Sequence, residues 1–132
     1  MSSFKSQVKI ESRIKEFSDR LRTNIRGELF RFGEDIMDKS RDVVPVDTGT
    51  LMSTGNVRIP DETDTEISCT MGYGGPAAPY ALAVHENLED YVNWKRPGSG
   101  PKYLERPFNA MQGELPARVA DAVERAAKAT RR

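Results

Sequence analysis

The stretch Val44-Pro45-Val46-Asp47-Thr48-Gly49-Thr50-Leu51 separates two kinds of sequence. Upstream of it the apolar residues Ile10, Ile14, Phe17, Leu21, Ile25, Leu29, Phe32 and Ile36 recur at steps of three and four. Such spacing forms one stripe of an amphipathic helix, with charges on the remaining faces. It predicts a single long helix over about residues 4–41. Gly27 and Gly33 lie inside it and each costs roughly 1 kcal/mol against alanine, so they are read as sites of close approach or of a bend. A pattern this long favours a helix that protrudes or leans on a partner. Pro45 ends it, because the residue before proline avoids the helical region. Asp47 or Thr48 is expected to cap the short turn through Leu51 and Met52, with Gly49 supplying tight backbone geometry.

Downstream the period changes. Residues 56–59 alternate and stop at Pro60, residues 61–64 read as a turn, and residues 65–71 alternate again. An antiparallel hairpin is expected, with Val57, Ile59, Ile67, Cys69 and Met71 facing inward. Residues 73–79 carry the glycines and prolines of a loop. Tyr80 to His85 reads as a strand or as a single helical turn. Residues 87–100 have no period and are expected to form a long loop that carries Tyr91, Trp94, Lys95 and Arg96. Helical spacing resumes with Leu104, Phe108, Met111, Leu115, Val119, Val123 and Ala126. That predicts a C-terminal helix over about 103–130, with Pro107 in its first turn and a kink or split at Pro116. The expected fold is one α+β domain over residues 1–132. A small antiparallel sheet, in the region of about 55–86, is packed on one face by the long N-terminal helix and the C-terminal helix.

Little in the chain suggests covalent chemistry. His85-Glu86 begins like a zinc-protease helix, but the chain holds one histidine, so the second ligand is missing. Cys69 is the single cysteine, so neither an internal disulfide nor a thiolate cluster can form. That fits a protein made and assembled inside a cell. Gly72, Gly74 and Gly75 are followed by Pro76 and Pro79, which rules out a dinucleotide-binding helix start. The Gly98-Ser99-Gly100-Pro101-Lys102 run lacks the spacing of a phosphate loop. Paired acids such as Glu34-Asp35 and Glu89-Asp90 have no histidine or metal beside them in sequence. No enzyme activity, cofactor or metal is expected. No apolar run is long enough to span a membrane, and Met1 leads into a charged amphipathic stretch rather than a signal sequence.

Three segments in fixed order carry a resemblance: Val44 to Leu51, then Tyr80-Ala81-Leu82-Ala83-Val84-His85-Glu86, then Pro101-Lys102-Tyr103-Leu104-Glu105-Arg106-Pro107-Phe108. Together they are similar to a family of small structural proteins of long-tailed bacteriophages, described as minor tail components, neck proteins or tail-completion proteins of the head–tail junction. In that family a Pro-x-Asp-Thr-Gly-x-Leu turn (here Pro45, Asp47, Thr48 and Gly49) precedes two or three strands. A Tyr-Ala…Glu strand and an aromatic-Leu-x-x-Pro helix start follow. The resemblance covers roughly residues 40–112 and favours a strand at Tyr80. It implies a virion protein, made in the host cytoplasm, that assembles as a ring of six copies around the DNA channel and touches neighbouring neck and tail proteins. DNA would pass through without sequence-specific binding. Tyr80, Glu86, Tyr91, Trp94, Lys95, Arg96, Lys102 and Arg106 are the residues expected at the assembly interface.

Charge sorting is consistent with that picture. Residues 1–41 carry a balance of +3, residues 42–93 a balance of −8 and residues 94–132 a balance of +5, for a net charge of zero. Opposed charged faces suit a head-to-tail contact in which the acidic middle of one copy meets a basic end of the next. The alternative is a generic α+β interaction module. Its nucleic-acid contact would be the Tyr91, Trp94, Lys95 and Arg96 loop, since aromatics mixed with cations hold single strands.

Overall fold

The computed structural model describes residues 19–45, 49–75, 81–86 and 102–130, and residues 5–13 as backbone. Strand β1 (Lys5–Arg13) leads to helix α1 (Asp19–Val43), the one-turn helix α2 (Thr50–Ser53), and the short strands β2 (Asn56–Val57) and β3 (Asp61–Glu62). Then come the central strand β4 (Glu66–Gly74) and helices α3 (Ala81–Glu86) and α4 (Glu105–Met111). A 3-10 turn at Gln112–Glu114 and helix α5 (Leu115–Thr130) complete the described chain. This is an α+β fold with a small antiparallel sheet, a long helix and a C-terminal helix.

The sheet is built around β4. On one side it pairs antiparallel with all of β1, from Lys5 opposite Gly74 to Arg13 opposite Glu66. On the other side β2 and β3 act as two pieces of one broken edge strand. The Arg58 amide bridges the gap by donating to the Thr70 carbonyl. Pro60 has no N–H to give, so the ladder breaks there.

Residues 5–13, at the start of the expected long helix, therefore form a strand. In Lys5–Arg13 the odd positions are Lys, Gln, Lys, Glu and Arg, while Val8 and Ile10 alternate between them. That alternation has a period of two, and β4 supplies a nine-residue template that satisfies the backbone. The helix proper begins at Asp19 and runs 25 residues.

Ile25, Leu29, Phe32 and Ile36 on α1 are fully buried, as the helical spacing predicts. They meet Ile67, Cys69, Met71 and Tyr73 from one face of β4 in a single core. Gly33 lets the helix approach closely: a Cβ there would stand 2.9 Å from Val57 Cγ1 and 3.1 Å from Cys69 Sγ. Ile59, expected inside, is 83% exposed instead, because it falls in the break between β2 and β3.

Helix α5 packs on α1 through the buried Ala122 and Ala126 and the half-buried Val119 and Val123. The C-terminal helix is split as Pro116 predicts. Both Pro107 and Pro116 sit in first turns, where a missing N–H costs no helical bond. No helix among the described residues is long and apolar enough to cross a membrane.

Candidate functional site

The most organised polar site lies where α3 meets the start of α4. Ala81 and His85 are four residues apart and both buried, so α3 presents one helical face inward. Of the strand and the single helical turn that the sequence left open at Tyr80 to His85, residues 81–86 form the helix, which corrects the strand that the resemblance favoured: Ala, Leu and Glu are good helix formers. Tyr80 itself lies outside the described residues.

The segment from Lys102 to Glu105 closes on that helix. The Lys102 amide donates to the His85 carbonyl at 2.6 Å, and the Tyr103 hydroxyl donates to the Ala81 carbonyl at 3.0 Å. Lys102 stands in the left-handed region, with φ of 58°. That conformation is strained for a side chain other than glycine, asparagine or aspartate. Its ammonium pairs with Glu86 and lies 3.4 Å from Glu105 Oε2. The Lys102 ammonium holds the Glu86 carboxyl below its ordinary value, against the smaller opposing effect of burial, and Glu86 in turn raises the lysine.

Behind these charges is an aromatic stack. The His85 ring meets Tyr103 edge-on at 4.9 Å, and Tyr103 meets Tyr73 edge-on at 5.0 Å. Ser40, near the end of α1, joins the stack to the core. Its hydroxyl donates to the Tyr103 carbonyl at 2.7 Å and lies 2.8 Å from the Tyr73 hydroxyl. Residues 40, 73, 81, 85 and 103 thus form one buried junction of α1, β4, α3 and the approach to α4.

Of the residues expected at an interface, Glu86 and Lys102 come together here, and Arg106 is exposed on the first turn of α4. Two carboxylates of its own chain, Glu86 and Glu105, hold the Lys102 ammonium. Tyr91, Trp94, Lys95 and Arg96 lie outside the described residues. So do Asp47 and Thr48. The cap position of α2 falls on Gly49, with φ of 85° and no side-chain cap, one residue after Thr48 and two after Asp47, the expected cappers. Pro45 is half-buried just past the end of α1.

A second polar centre joins α1 to α5, and nothing in the sequence singled it out. The Glu28 side chain is 8% exposed and receives Arg118 Nε at 2.7 Å, Arg31 Nη2 at 2.8 Å and Arg125 Nη2 at 3.4 Å. Arg118 also pairs with Asp35 at 2.9 Å and lies over the Phe32 ring at 4.9 Å. Burial would push the Glu28 carboxyl up, but Arg118 and Arg31 together outweigh it and hold the group below its ordinary value. Arg125 also pairs with Asp121 at 2.9 Å, so three carboxylates face three guanidiniums, which makes this a strut rather than an anion site. Part of the acidic middle is likewise neutralised at home: Glu62 pairs with Arg22 and Arg26, and Arg22 also donates to the carbonyls of Thr63 and Asp64.

Among the described residues no three His, Cys, Asp or Glu side chains converge to hold a metal ion. No family model, curated protein or solved structure matches the chain.

Proposed function

We propose that this protein is a non-enzymatic structural subunit of a phage virion, working at the head–tail junction as one member of a ring around the DNA channel. One observation carries the reading. The three segments that bear the resemblance are far apart in sequence, yet their residues Val44, Leu51, Ala81, Tyr103 and Leu104 share one buried core. The second and third segments are further locked by the Lys102–Glu86 pair and the His85–Tyr103 contact. Side chains brought together in this way brace a scaffold.

The contact between copies is proposed to run from the broken edge strand to a basic segment of the next copy. Ile59 and the exposed Asp61 and Asp64 mark that edge, and among the described residues Asp64 is held by Arg22 through its carbonyl and not its carboxylate. Lys95 and Arg96 supply the opposing charge. Exposed ion pairs are screened within about 8–10 Å at physiological salt, so assembly weakens as salt rises.

Native mass spectrometry and light scattering on the purified chain test this, with Lys95→Glu/Arg96→Glu as the comparison. Lys102 is left intact, because reversing it would break the junction within the subunit. A closed oligomer, six copies as the resemblance implies, is expected for the wild type and monomer for the variant. A wild-type protein that stays monomeric at every concentration, alone and with purified tails, overturns the reading.

A further inference from the structure

His85 is 6% exposed at the C-terminal end of α3, and both of its ring nitrogens are engaged. Nε2 accepts from the Glu105 amide, the first residue of α4, at 3.4 Å. Nδ1 lies 3.3 Å from Glu86 Oε1. An amide can only donate, so Nε2 must be bare and the ring proton sits on Nδ1, pointing at Glu86. The histidine therefore reads as a neutral ring that fastens two helices.

We propose that His85 is an acid-sensitive latch between α3 and α4: neutral, it holds the first amide of α4, and protonation turns Nε2 into a donor facing a donor, which opens the joint. The reading stands apart from the assembly reading above, since it concerns a contact within one chain.

The charges around the ring come from several elements. Glu86 follows it on α3, Lys102 precedes Tyr103 in the turn, and Glu105 begins α4. Helix α3 also packs on β1, whose charged residues are Lys5, Lys9, Glu11 and Arg13, and on β4, whose one charged residue is Glu66. Tyr103 covers the ring with its own ring and Tyr73 lies behind it. Burial opposes the imidazolium most strongly. Glu86 and Glu105 favour it, Lys102 opposes it, and the outcome is a group held below the ordinary histidine value of 6.5. The unfolded chain then takes up its proton first as pH falls. The stability that the neutral ring contributes is complete above about pH 6.5 and is lost as pH drops through the lower folded value.

Because the chain has one histidine, its ring resonance can be followed in the intact protein without ambiguity. The experiment combines an NMR titration of that ring and of the Glu105 amide with hydrogen exchange of α4, between about pH 7.5 and about pH 5. Exchange is corrected for the intrinsic pH dependence of the amides. His85→Gln is the comparison, since its carboxamide oxygen can accept from the Glu105 amide and does not titrate. The wild type should titrate below pH 6.5 with the Glu105 amide moving at the same midpoint. Protection of α4 should fall over the same pH range in which the ring takes up its proton. The His85→Gln protein should show no such step. A ring that titrates at or above 6.5, a Glu105 amide that does not follow it, or a His85→Gln protein with the same acid loss would each overturn the latch. If His85→Gln does not fold, the wild-type titration alone decides between these outcomes.

Discussion

Replacing Glu28 by alanine tests whether α5 is held on α1 by one buried carboxylate. The substitution removes the 2.7 Å bond to Arg118 and the 2.8 Å bond to Arg31, together with the longer contact to Arg125. Arg31 and Arg125 are 57% and 50% exposed. Water screens their pairs, and each is worth less than about 1 kcal/mol. Arg118 is 21% exposed and is the partner that matters. Breaking a buried pair by removing one member costs roughly 3–5 kcal/mol, mainly by stranding the other charge. Here Asp35 and the Phe32 ring retain Arg118, so the loss belongs at the low end, about 3 kcal/mol. For a chain of this length that lowers the melting temperature by about 10 °C. Arg125→Ala, on the same network but exposed, should cost less than about 0.5 kcal/mol. The folded Glu28 carboxyl lies below its ordinary value of 4.5. Its contribution is therefore present above about pH 4.5 and is lost as pH falls through the lower folded value. The gap between wild type and Glu28→Ala should close in acid. Urea unfolding of the three proteins at neutral and acid pH is the assay. A Glu28→Ala loss below about 1 kcal/mol, or one equal to that of Arg125→Ala, would refute the assignment of a buried strut.

Gly33→Ala should destabilise by about 1–3 kcal/mol, since the new methyl must displace Val57 and Cys69 in a packed core; an unchanged denaturation midpoint would show that α1 can lift off the sheet. Tyr103→Phe removes the buried donor to the Ala81 carbonyl and should cost about 1–2 kcal/mol; calorimetry giving wild-type stability would mean that this bond does not fix α3. Lys102→Gly should melt above Lys102→Ala, because both lose the ammonium but only glycine relaxes the left-handed backbone; the reverse order would show that the left-handed backbone at this position holds no strain. Burial, aided by Glu34, pushes the Cys69 thiol up to about 11, so thiol reagents should label the folded chain at mildly alkaline pH only at the rate at which it opens; rapid labelling without loss of structure would show that β4 is accessible.

The residues that make the core of α1 were legible because their signal is local. Ile25, Leu29, Phe32 and Ile36 repeat at helical steps, and a 25-residue helix buries that stripe whatever covers it. Ile67, Cys69 and Met71 alternate and are buried as alternation requires. Pro45 and Pro116 act through their own rings and mark the end of α1 and the start of α5. Ser18-Asp19, a helix-start pair, could have revealed where the strand gives way to the helix, but the run of apolar steps through Ile10 and Ile14 fits both periods.

Other features were set by partners distant in the chain. Lys5–Arg13 is a strand because β4, some sixty residues later, offers a matching ladder, and no local propensity contains that information. Glu28 looks like any acid on a solvated helix face until α5 carries Arg118 across it. Lys102 belongs by sequence to a basic run, yet the turn folds its ammonium back between Glu86 and Glu105. His85 reads as a lone histidine, and its two-sided engagement exists only because the chain returns to place the amide of Glu105 beside it. By itself the sequence determined the helices and strands whose apolar period exceeds the reach of a single contact. The tertiary structure decided every polar group, because a charge or a ring nitrogen takes its energy from the partner that folding brings to it.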